Sequence, residues 1–141
     1  MRIALIHALA HSVEPINTAL ARDWPEAARM NLLDDSLSAD LAASGSGLDA
    51  AMHERFARLA QYAVGCGSQA ILFTCSAFGP CIEAVARQHA AIPVLKPNEA
   101  MVADAVALGC AVGLVASFAP TLASMPPEFP ARVALRCALA E

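Results

Sequence analysis

Ala70-Ile71-Leu72-Phe73-Thr74-Cys75-Ser76-Ala77-Phe78-Gly79-Pro80 is the stretch that decides the fold of this chain. It begins as an apolar run closed by a β-branched residue. A strand covered on both faces of a parallel sheet has this pattern, without the polar alternation of a half-exposed strand. Pro80 has a φ suited to the first turn of a helix and no amide hydrogen to lose, so a helix is predicted to open there. Cys75 then falls where a buried strand gives way to a helix. In open α/β sheets, ligands bind at this carboxyl edge. A thiol near a helix N-terminus also feels the positive end of the dipole, which favours thiolate. The same position suits a free cysteine that acts as a small buried apolar residue.

The same alternation recurs on both sides. Residues 2–7 are nearly all apolar and are predicted as strand one, with a loop at 8–12 on the carboxyl edge. Ser12 is placed as the cap of a helix whose face carries Val13, Ile16 and Leu20, ended by Asp23-Trp24-Pro25. Residues 28–33 form strand two and run into Asp34-Asp35-Ser36. Residues 37–47 are expected as a surface loop or a mobile lid, with Ser44-Gly45-Ser46-Gly47 as a flexible joint. The clearest helix covers 48–64, where Leu48, Met52, Phe56, Leu59 and Ala63 share a stripe and Gly65 is the expected C-cap.

After the helix that follows Pro80, residues 92–95 read as strand four. Pro97-Asn98 caps a helix over 99–108 with Met101, Val102, Ala105 and Val106 inward, closed by Gly109. Residues 110–117 and 131–139 are strands five and six, joined by a proline-interrupted loop with a helical turn near 121–125. Strands alternating with helices predict an α/β protein with a parallel sheet and right-handed crossovers.

The bulk properties agree with one small domain. The chain has 141 residues, enough for a core, and a formal net charge of -4 without a basic block, so nucleic acid is not an expected partner. Two stretches imitate membrane segments. Residues 1–10 resemble a leader, but His7 interrupts a short apolar run. The uncharged span 105–127 is broken by Gly109, Gly113, Pro120, Pro126 and Pro127. Both are read as parts of the fold, and no membrane association is expected. The five cysteines are odd in number and contain no Cys-x-x-Cys, which fits reduced thiols in a cytoplasm.

Thr74-Cys75-Ser76 is the strongest candidate for chemistry. A thiolate flanked by two hydroxyls and free N–H groups can hold a carboxylate and abstract an α-proton. His7, Asp34, Asp35, Ser36, Asn98, Glu99, Ser117 and Thr121 share the carboxyl edge, where each is also explicable as a loop or cap residue. Other motifs fail. His7 and His11 straddle a strand end and a loop, which disfavours a metal pair. His53-Glu54 lacks the second histidine of a zincin. Gly45-Ser46-Gly47 does not follow a strand, and Cys75 and Cys81 are too widely spaced for a redox pair. His89 is read as a packed, hydrogen-bonded histidine.

Together these pieces resemble the aspartate/glutamate/hydantoin racemase superfamily. The resemblance rests on the polar loop after strand one at His7, on Thr74-Cys75-Ser76-Ala77-Phe78-Gly79, on Ile92-Pro93-Val94-Leu95-Lys96-Pro97-Asn98-Glu99-Ala100, and on Gly113-Leu114-Val115-Ala116-Ser117 followed by Thr121. It implies two pseudo-symmetric α/β halves: a Rossmann-like or flavodoxin-like half over 1–108 and an incomplete second half over 109–141. It implies a cleft that takes a small carboxylate without cofactor or metal. By the resemblance, Cys75 transfers the α-proton, while His7, Thr74, Ser76, Asn98, Ser117 and Thr121 surround the substrate. Relatives include maleate isomerases and arylmalonate decarboxylases, so isomerisation and decarboxylation stand beside racemisation. The family's second cysteine has no counterpart here: Cys137 falls inside strand six, Cys110 at a strand start and Cys81 in a helix. The second half is therefore expected to be truncated, with apolar sheet surface uncovered and a homo-oligomer as the expected outcome. A non-catalytic remnant that binds a small carboxylate is the alternative, with a generic flavodoxin-like binding domain behind it.

Overall fold

A computed structural model describes residues 1–45 and 47–140. Ser46, in the expected joint, lies outside the described residues. The first sheet contains β1 (Arg2–His7), β2 (Ala28–Leu33), β3 (Ala70–Phe73) and β4 (Val94–Leu95), in the order β2-β1-β3-β4 and parallel throughout. A second, two-stranded parallel sheet pairs β5 (Val112–Ala116) with β6 (Leu135–Leu139).

Strand order explains the helix placement. The chain steps from β1 outward to β2, then crosses back past β1 to β3 and β4. Right-handed crossovers in opposite directions place their helices on opposite faces. Accordingly α1 (Val13–Asp23) packs Ile16 and Leu20 on the face made by Ile3, Leu5, Ala27 and Ala70. The other face, with Ala4, Ile6, Ile71 and Phe73, receives α2 (Ser36–Ser44), α3 (Ala50–Gly65) and α4 (Gly79–Gln88). Successive residues of β1 thus serve opposite cores, as the two-residue period of a strand requires. Phe56 of α3 anchors the larger core, with its ring centroid 5.2 Å from that of Phe73 and 4.9 Å from that of Phe78.

Several local expectations are corrected. Residues 36–44 are helical, not loop, and Leu37, Ser38 and Leu41 are buried. The capping role given to Ser12 is not used: its backbone is helical and its hydroxyl turns to β1 and the loop after β3. Asn98 also makes no side-chain cap for α5 (Glu99–Ala107), and Met101 faces outward at 48% exposure while Val102 is buried. The real cap of α3 is Asp49, which accepts from the Met52 N–H at 2.8 Å. Gly65 is the last residue of α3, and the left-handed turn belongs to Gly67 at φ 80°. His89 is packed, but its Nε2 is buried without a partner.

The connector from β5 to β6 carries α6 (Ala119–Ser124) and a turn at Pro126–Glu128. It docks on the first sheet's carboxyl edge. An added Cβ at Gly79 would stand 3.1 Å from Glu128 Oε1, so glycine lets the turn approach the start of α4. Beyond this seam the small sheet is open, with Val115 66% and Leu139 49% exposed. Among the described residues, no helix is long and apolar enough to cross a membrane.

Candidate active site

The chain reverses its winding direction between β1 and β3, and the loops leaving those strands part there. Such a switch point forms a crevice at the carboxyl edge. His7 ends β1 on one side of it, and Thr74 and Cys75 follow β3 on the other.

His7 is fully buried and its ring is occupied on both sides. Nδ1 lies 2.9 Å from Thr74 Oγ1 and 3.1 Å from Ser12 Oγ, while Nε2 lies 2.9 Å from Asn31 Oδ1. Asn31 is joined in turn to Asn17, whose Nδ2 donates to the same oxygen at 2.7 Å. The Ser12 hydroxyl donates to the Leu9 carbonyl at 2.7 Å. Thr74 is thereby held to the imidazole and, through its own N–H, to the Ile6 carbonyl at 3.0 Å. This network ties the base of the Cys75 loop to β1 and β2 and satisfies the buried polar atoms of His7. Asn17 and Asn31 had no sequence signal and Ser12 only that of a helix cap, because residues so far apart meet only through the strand register.

Cys75 has extended backbone angles and opens a short turn, Ser76–Phe78, before α4 begins at Gly79. Its side chain is partly buried. Burial pushes the thiol above its ordinary range; the Ala77 N–H and the Ser38 hydroxyl pull it the other way without prevailing. The expectation of a dipole-favoured thiolate does not hold here. The reason is spacing: the first turn of α4 lies downstream, so one N–H reaches the sulfur and not a full helix end.

Ser76 and Thr121 come together, their hydroxyl oxygens 3.3 Å apart, and Ser124 Oγ donates to the Ser76 carbonyl at 2.9 Å. The second sheet's connector thus forms one wall beside the Cys75 loop. Ser117 is exposed at the end of β5, and Asn98 stands at the start of α5 with a buried, unpartnered Nδ2. Neither shares a hydrogen bond with the Cys75 loop among the described residues. An open groove of about 620 Å³ runs between the end of α2 and α6, walled by Leu41, Leu48, Ala77, Phe118 and Ala123. Ala77 is its point of contact with the loop; Cys75 does not line it.

Two charged clusters brace this edge. Arg55 of α3 bridges Asp34 at 2.8 Å and Asp40 at 2.6 Å, clamping α2 from both sides. Burial works against the Asp34 carboxylate, but Ser36 and Arg55 outweigh it and hold its pKa below the usual range. Lys96 pairs with Glu83 at 2.9 Å and Glu128 at 3.6 Å. Burial pushes the Glu128 carboxyl upward, and Lys96 only partly offsets this. The other cysteines stand elsewhere. Cys81 is buried in α4, its thiol pushed up to about 12 by burial and then by Asp49. Cys110 and Cys137 are exposed around the second sheet.

No protein-family model matches the chain, and no curated protein sequence matches it.

Proposed function

We propose that this chain is a cofactor-independent, racemase-like isomerase that uses Cys75 to transfer the α-proton of a small carboxylate. One observation carries the reading: Cys75 follows β3 at the switch point of the parallel sheet, directly before Ser76, whose hydroxyl meets that of Thr121 from a separate element. An α-C–H bond is weakly acidic, so a carboxylate must be held by donors that stabilise the enolate as it forms. Ser76 and Thr121 supply such donors, and the apolar groove beyond Ala77 takes the rest of the substrate. His7 and Thr74 act behind the loop by holding it in place.

A second reading is favoured by the raised thiol. A sulfur that rests protonated suits one-sided delivery of a proton. In a malonate-type acid the C–CO₂⁻ bond would break, CO₂ would leave, and the S–H proton would pass to the resulting enolate carbon. Water would then restore the thiol.

The test is proton NMR in D₂O with aspartate, glutamate, a 5-substituted hydantoin and phenylmalonate. Loss of an α-proton signal supports the first reading, and release of CO₂ from phenylmalonate supports the second. Either activity should fall about 100-fold or more in Cys75→Ser. Absence of both in pure wild-type protein removes the enzymatic reading and leaves a carboxylate-binding module.

A further inference from the structure

Ser38 lies on α2 and is 5% exposed. Its Oγ is buried and no group meets it in hydrogen-bonding geometry. A buried hydroxyl without a partner destabilises the fold, and alanine would occupy the same space without that cost. Ser38 follows Leu37, which lines the same small void as Cys75, and the Ser38 hydroxyl and the Ala77 N–H both favour the Cys75 thiolate against burial. The void beside the sulfur, lined by Ile6, Ala8, Leu37, Phe56 and Phe73 along with His7, is too small to hold a water molecule. Solvent therefore has no place from which to serve the sulfur on that side. The position of Ser38 is itself controlled, because Arg55 grips Asp34 and Asp40 on either side of it in the chain and accepts no slack at Ser36, whose hydroxyl is 2.6 Å from the guanidinium.

We propose that Ser38 is a positioning residue for Cys75, donating its hydroxyl hydrogen to the sulfur when the thiol gives up its proton. The inference rests on the reading of Cys75 as the proton-carrying thiol. In the protonated state the sulfur needs no donor, which accounts for the unpartnered Ser38 Oγ. When the S–H proton passes to a substrate carbanion, the sulfur keeps the electron pair and becomes S⁻. It then accepts from two groups, Ser38 O–H and Ala77 N–H. Burial raises the cost of a thiolate here, and the two donors lower it on the side of the sulfur where water has no room.

The test is iodoacetamide alkylation of Cys75 against pH in the full chain, read by peptide mass spectrometry, with wild type, Ser38→Ala and Ser38→Thr. Ser38→Ala is expected to move the midpoint of Cys75 alkylation upward by about half to one pH unit. Below the midpoint this is about a threefold to tenfold slower reaction. Ser38→Thr, which keeps the hydroxyl, returns the midpoint to that of wild type, and Cys110 reacts alike in all three. A midpoint unmoved in Ser38→Ala overturns the proposal. So does an equal shift in both variants, or a rise in Cys81 alkylation, since either marks a packing effect. Should Ser38→Ala fail to fold, Ser38→Cys, near-isosteric with a weaker donor, is read by the same criterion. The titration needs no substrate, so a wild-type protein with neither α-proton exchange nor decarboxylation refutes the enzymatic reading while leaving this result to be judged separately.

Discussion

The hydroxyls of Ser76 and Thr121 stand 3.3 Å apart although 45 positions separate them in sequence. With Ser124, which donates to the Ser76 carbonyl at 2.9 Å, this contact joins α6 to the Cys75 loop. Each hydrogen bond is worth about 1 kcal/mol net. Ser124→Ala and Thr121→Val are each expected to lower stability by about that amount in urea denaturation followed by circular dichroism. The double variant should depart from additivity, because both residues contact Ser76.

Alkylation at neutral pH should follow exposure. Cys110 and Cys137 are expected to react first, Cys75 more slowly, and Cys81 last, since burial holds its thiol near 12. Peptide mass spectrometry over a time course checks the order. Cys75 reacting first would mean that its thiolate is far better supported than its burial allows.

His7 binds the base of the site, not its open side. His7→Leu keeps an apolar filling but deprives Thr74 and Asn31 of the imidazole. Loss of about 2–3 kcal/mol is expected. The measurement is the urea midpoint, with Cys75 alkylation as a second readout that should rise as the loop loosens.

Acid sensitivity should pass through Asp34. Its folded pKa lies below that of the unfolded chain, where an aspartate titrates near about 3.9. The stabilisation is therefore present above pH 4 or so and is lost as pH falls through the lower folded value. Asp34→Asn is expected to be about 1 kcal/mol less stable than wild type at pH 7. It should lose less on going from pH 5 to pH 3, which paired denaturation curves will show.

Lys96 has the opposite sign. Its side chain is 14% exposed and that of Glu128 is 7% exposed. Burial raises the folded pKa of Glu128 above its unfolded value near about 4.3, so its contribution falls as pH rises through that window. Lys96→Met strands this carboxylate and is expected to cost about 3 kcal/mol at pH 7. The variant should regain stability as pH falls from neutral and Glu128 takes up a proton, and by more than wild type does.

The parallel sheet and the place of Cys75 beyond its carboxyl edge were legible in the residues alone. Apolar runs at residues 2–7 and 70–73 and the strand segment 28–33, separated by helical stripes and bounded by Pro80, Gly67 and Gly109, leave little other architecture open. Such signals are local, and local patterns survive in a linear reading. α2 escaped that reading because Leu37, Ser38 and Leu41 make too short a stripe beside a glycine-rich joint, and its helicity comes from docking against Phe56 and the sheet. Ser38 could not be found while its segment was read as loop. Ser12 and Asn98 have good capping side chains, yet tertiary partners or burial took them elsewhere. Strand register brought Asn31 to His7, and the packing of α6 brought Thr121 to Ser76. The protonation of Cys75 was likewise a tertiary decision, because desolvation depends on the atoms that surround a sulfur in space, whereas a chain position next to a helix states only which dipole is near.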